Sequence, residues 1–268
     1  MIEKNKRGRK PKHLVNILKT KVWVEYLIQT AKMGVDSLEI HIGVLTNEII
    51  DKPYRLRRYK NQGNMPESEY VNKIESLYPG SKAIFGHVLW DVLSSSNLTQ
   101  FEINDLIQKL EPEVKFLLIS ALKVEPVRRR PFNEDTVEIL ISRGSIDCLA
   151  VAILMMQESI FLGSEELREL ALELYVGLTE KIAMNPLFFG VHPELFSYIE
   201  STFKHYIFLA PNLRLSAVIF WQSYRDNFWS EEIKLKSQKL EEVRKGKFQK
   251  VSLKTKIESP DGTSYFDT

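Results

Sequence analysis

The chain has 268 residues, 44% of them hydrophobic and 27% charged, which suits a globular protein and excludes a disordered or fibrous one. Only 12 Gly and 11 Pro leave few of the turns that many short strands would need, so a mainly α fold is predicted. The net charge of +2 hides an uneven distribution: 16 Lys/Arg against 9 Asp/Glu in residues 1–90, 9 against 18 in 91–200, and 12 against 8 in 201–268.

Residues 1–13 read as a flexible basic arm carrying Lys4, Lys6, Arg7, Arg9, Lys10 and Lys12. An amphipathic helix is predicted over 14–31, where Leu14, Ile17, Leu18, Val22, Tyr26 and Leu27 recur at helical spacing, with Gly34 as its stop. Asp36 and Glu39 stand in capping-box relation and are expected to open a second helix through Leu38, Ile40 and Ile42. Pro53 begins a third, basic piece with Arg55, Arg57, Arg58 and Lys60. Gly63 and Pro66 punctuate it, and 67–77 forms another helix with Val71, Ile74 and Leu77 on one face, stopped by Pro79-Gly80.

Further along, Thr99 with Glu102 makes a second capping box, Pro112 suits a first helical position, and Ser164 precedes the acidic first turn Glu165-Glu166. Residues 146–156 are apolar nearly all round and predict a buried central helix, with a buried strand as the alternative for so short a run. Phe220, Trp221, Tyr224, Phe228 and Trp229 are spaced as a packed helix would space core residues. A third basic run, with Arg244, Lys245, Lys247, Lys250, Lys254 and Lys256, precedes a stretch without periodicity. The chain therefore divides into the arm at 1–13, a small helical head at 14–81, a larger helical, bundle-like body at 82–236, and a basic helix end with a mobile tail at 237–268.

The stretch 23–81 carries two helices, a basic third segment, then Tyr59, Gly63, Pro66 and the helix of Tyr70 to Leu77. It resembles the helix-turn-helix domain of the Cro and lambda-repressor type, in which a recognition helix is followed by an aromatic residue, a glycine turn, a proline and a packing helix. The segment from Ile42 to Tyr54 is longer than that family's usual turn, and Asp36-Ser37 stands where a Gln often opens its second helix. The resemblance implies that Arg55, Arg57, Arg58 and Lys60 lie on or beside a helix that enters the major groove. Ahead of it, Lys6-Arg7-Gly8-Arg9-Lys10-Pro11-Lys12 resembles an AT-hook, although Lys10 separates the second arginine from the proline. That likeness implies a minor-groove contact by Lys6, Arg7, Arg9, Lys10 and Lys12.

For catalysis the inventory is thin. The five histidines, His13, His41, His87, His192 and His205, form no metal-binding spacing, and no phosphate-cradling glycine loop or Gly-x-Ser-x-Gly elbow occurs, so no metal or cofactor is expected. Glu134-Asp135 and Glu165-Glu166 read as helix starts. Cys148 reads as inert core, and a single cysteine suits a reducing compartment. Arg128-Arg129-Arg130 reads either as a salt-bridging site or as a phosphate contact. The longest apolar run, 149–156, is far short of the roughly 20 residues that span a bilayer. The expectation is a cytoplasmic, non-enzymatic protein that binds double-stranded DNA as a transcriptional or mobile-element regulator. Its acidic body, 82–236, is expected to dimerise or to receive a protein partner, without contact to a membrane. The alternative is a helical protein–protein adaptor whose basic ends are solubilising or contact RNA.

Overall fold

Helical periodicity is realised along most of the chain, and the local reason for each helix is visible at its ends. The computed structural model describes residues 13–48, 53–120, 128–204, 207–210 and 213–214. All of them fall within one compact unit spanning residues 1–229, while residues 230–268 form a second unit outside the described residues. The aromatic residues from Phe220 to Trp229, the third basic run and the tail at 237–268 therefore lie outside the described residues. The body at 82–236 is described only as far as 214.

The described residues are mainly helical. In chain order the helices are α1 (Leu14–Ala31), α2 (Val35–Leu45), α3 (Arg55–Gln62), α4 (Ser68–Leu77), α5 (Ser81–Phe85) and α6 (Val88–Ser94). They continue as α7 (Gln100–Gln108), α8 (Pro112–Leu118), α9 (Glu134–Arg143), α10 (Ile146–Leu162), α11 (Glu165–Met184) and α12 (His192–Thr202). A short antiparallel pair follows, β1 (Phe208–Ala210) with β2 (Leu213–Arg214), in which Phe208 lies opposite Arg214.

Several starts follow the sequence directly. Thr99 and Glu102 form the reciprocal capping box of α7, Pro112 opens α8, Ser164 accepts from the Leu167 amide at α11, and Asn133 caps the acidic first turn of α9. Two expectations are corrected. Helix α1 ends on Lys32, which takes the left-handed conformation at φ 53°, while Gly34 is extended and serves as the N-cap of α2. Asp36 and Glu39 form no capping box, because α2 already begins at Val35 and the Glu39 carboxylate is engaged on α3.

Two hydrophobic clusters hold the unit together. The larger is centred on α10, whose residues from Cys148 to Met156 are fully buried against α6, α7, α9 and α11. The expected central helix thus exists and runs on to Leu162. Each buried Leu, Ile or Met stabilises the fold by about 1.5–3 kcal/mol relative to an exposed one. The smaller cluster gathers Trp23, Val24, Leu27, Ile28, Leu38, Ile42, Leu56, Val71, Ile74 and Tyr78 from α1 to α4. Helix α1 belongs to both, with Val15, Leu18 and Val22 in the larger cluster and the next turns in the smaller. At about 1.5 Å per residue it is long enough to serve as a spine between them.

Polar ties reinforce the packing. Lys21 Nζ meets Glu194 at 2.6 Å, linking α1 to α12, and the Tyr26 hydroxyl donates to the Pro79 carbonyl at 2.8 Å. The buried Asp147 carboxylate accepts the Glu111 amide at 3.1 Å and lies 3.1 Å from His87 Nε2. His87 Nδ1 accepts from the Leu89 amide, so one carboxylate joins the starts of α6, α8 and α10.

Candidate nucleic-acid interface

Helix α3 is short, and three features hold its eight residues in place. Its first two amides, those of Arg55 and Leu56, both donate to the Glu39 carboxylate at 2.9 Å, so α2 supplies a negative charge at the positive end of the α3 dipole. Leu56 is its one fully buried side chain. At its end Gly63 adopts φ +57°, and a Cβ there would stand 2.4 Å from Ile17 Cγ2. The chain can therefore turn against α1 only with glycine at this position.

An aromatic cluster fixes the helix sideways. Tyr59 lies 6.3 Å from Trp23 and 6.0 Å from Tyr70, ring centre to ring centre, and Phe85 of α5 meets Trp23 edge-on at 5.6 Å. Burial pushes the Tyr70 and Tyr59 hydroxyls above their usual range, so both stay protonated and neutral beside the arginines.

The basic residues of this segment have different fates. Arg55, Arg57 and Arg58 are exposed, whereas Lys60 is half-buried. Lys60 Nζ lies 2.9 Å from Glu25, whose side chain is only 3% exposed, so this lysine neutralises a carboxylate inside the fold instead of facing a ligand. The placement of Lys60 beside a groove-reading surface is corrected accordingly. Arg57 is paired with Asp36 of α2 at the surface, and the Arg55 guanidinium stacks 4.9 Å from the centre of the Tyr70 ring. Lys6, Arg7, Arg9, Lys10 and Lys12 lie outside the described residues.

Arg55 and Arg58 line an open cleft of about 420 Å³ together with Tyr54 and Tyr59 of the α3 region. Its other walls come from His13 and Asn16 at the start of α1, and from Gly63, Asn64, Met65 and Glu67 ahead of α4. On the far side of Arg55 a neighbouring cleft carries Glu48, Glu67 and Glu69 against Lys73, so the positive face of α3 is bounded there by carboxylates. Sequence reading missed Tyr54, Asn16 and His13, because residues from distant stretches build this cleft and only the packing of α1 on α3 brings them together.

Elsewhere the charges serve the scaffold. Arg129 donates to Glu158 at 2.7 Å and to Asn104 at 3.0 Å, tying α7 to α10, and Arg130 stacks 4.2 Å from the centre of the Phe116 ring. Of the two readings of this arginine run, Arg129 takes the salt-bridging one, within the body. Glu134, Asp135, Glu166, Glu169 and Glu173 line an acidic cleft at α9 and α11. Cys148 is buried, and burial raises its thiol pKa. Among the described residues no helix is long and apolar enough to cross a membrane. No protein-family model, no curated protein and no solved structure matches this chain.

Proposed function

We propose that this protein binds duplex DNA through the exposed arginines of α3 and the basic arm at 1–13, as a regulator of transcription or of a mobile element that works by binding and not by catalysis. One observation carries the reading. His13 and Asn16 line the same cleft as Arg55 and Arg58, so an arm with six lysines and arginines is joined to the fold beside three exposed arginines. Such a concentration releases counterions when it meets a polyphosphate and favours duplex backbone over neutral partners. The acidic cleft at α9 and α11 repels the same backbone, which confines DNA to the α3 side of the molecule.

Titration of a labelled duplex followed by anisotropy tests this. The triple variant Arg55→Ala, Arg57→Ala, Arg58→Ala is expected to weaken binding by at least about tenfold, and unchanged affinity would end the proposal.

A second reading, a helical adaptor, draws on Ile160, Phe161 and Leu162, three successive apolar residues exposed at the end of α10. If the body self-associates there, Phe161→Asp will convert a dimer to a monomer in sedimentation velocity. A wild-type monomer removes this support.

A further inference from the structure

We propose that the cleft between the start of α1 and α3 takes one unpaired nucleotide of the bound nucleic acid, with its base stacked on Tyr54 and its phosphate against Arg58. The inference rests on the nucleic-acid reading above and specifies what this face accepts. A helix that only probes the major groove must protrude, yet the Arg58 side of α3 lines a concavity. Its volume of about 420 Å³ lies at the lower end of small-ligand pockets, which span roughly 300–1,000 Å³, and suits one nucleotide better than a run of them.

The lining chemistry agrees. Tyr54, the N-cap residue of α3, leaves 57% of its surface exposed, and Met65 on the same cleft leaves 52% exposed. A flat ring and a polarizable thioether at the surface offer a base a stacking partner and an apolar wall. Arg58 is exposed, whereas Arg57 and Lys60 are already paired with carboxylates, so Arg58 is the group placed to hold a phosphate. The half-buried Asn16 amide supplies a donor and an acceptor for a base edge. Glu67 on the same lining repels a second phosphate, which limits occupancy to a single unit.

The test uses the full chain and three probes: a blunt DNA hairpin, the same hairpin with a one-nucleotide 2-aminopurine overhang, and free 2-aminopurine deoxyribonucleoside monophosphate. The overhang is expected to bind about tenfold tighter than the blunt hairpin, the size of one base–aromatic stack, with quenched 2-aminopurine fluorescence. Tyr54→Ala should erase that advantage and the quenching while leaving blunt-hairpin affinity unchanged, and Tyr54→Phe should keep both. Because Tyr54 lies largely outside the core, the variants should melt as the wild type does. Equal affinity for both hairpins, with binding still lost in the triple arginine variant, overturns this inference and leaves the duplex reading standing. Free nucleotide binding as tightly as the overhang also overturns it. Failure of every probe to bind removes both readings together.

Discussion

Gly63 meets two demands at one position, a positive φ and the close approach of Ile17. Gly63→Ala is therefore expected to destabilise the protein by about 3 kcal/mol, combining left-handed strain with overpacking. Gly163 has a similar φ of +63° but nothing within 4 Å, so Gly163→Ala should cost only about 1 kcal/mol. Denaturant midpoints of the two variants check this ranking, and equal losses would refute it. Lys60 and Arg58 contrast in the same way. Lys60→Ala withdraws the cation from the buried Glu25 carboxylate and should cost about 3 kcal/mol, while Arg58→Ala, made at the surface, should leave stability within about 0.5 kcal/mol and weaken DNA binding. From the sequence the two side chains look alike. Only the packing of α3 on α1 decides that one turns inward, so residue type and spacing could not separate them.

At the scale of elements, caps made within one helix were legible and caps made between helices were not. Thr99 with Glu102, Ser164 and Asn133 act on amides two or three residues away, and such short-range chemistry is written in the local sequence. Glu39 satisfies the same local pattern with Asp36, yet its carboxylate serves Arg55 and Leu56, a choice fixed by tertiary contact. Glu39→Ala should therefore loosen α3 in particular, lowering stability by about 2 kcal/mol, with faster amide exchange at Arg55 and Leu56 than at α10. Uniform exchange across both helices would contradict this. Glu75 of α4 likewise accepts from Lys82 and Gly80 at the start of α5, and those backbone bonds hold its carboxyl below the usual range. Its folded pKa is depressed, so its contribution is complete above the ordinary carboxylate pKa and is lost as pH falls through the folded value. Wild type should exceed Glu75→Gln in stability at about pH 6, and the gap should close by about pH 3. A gap that stays constant over that range would show that the carboxylate is not the stabilising form.

At the scale of the whole molecule, the mainly helical class and the buried α10 could be read from composition and from an apolar run without a polar face. The sharing of α1 between two clusters could not, because its apolar residues point in several directions and a single-face pattern does not say which neighbour each one meets. That sharing sets the start of α1, and with it the junction with the basic arm, beside the arginines of α3. The duplex reading depends on this convergence. The most direct measurement is the salt dependence of the Kd for a duplex, taken from about 50 to about 200 mM, for wild type and for the triple arginine variant. Wild type should show log K falling steeply with log salt, and the variant a slope shallower by about 3, close to 0.9 for each lost phosphate contact. A wild-type affinity indifferent to salt, or equal slopes for the two proteins, would contradict a DNA-binding face on α3.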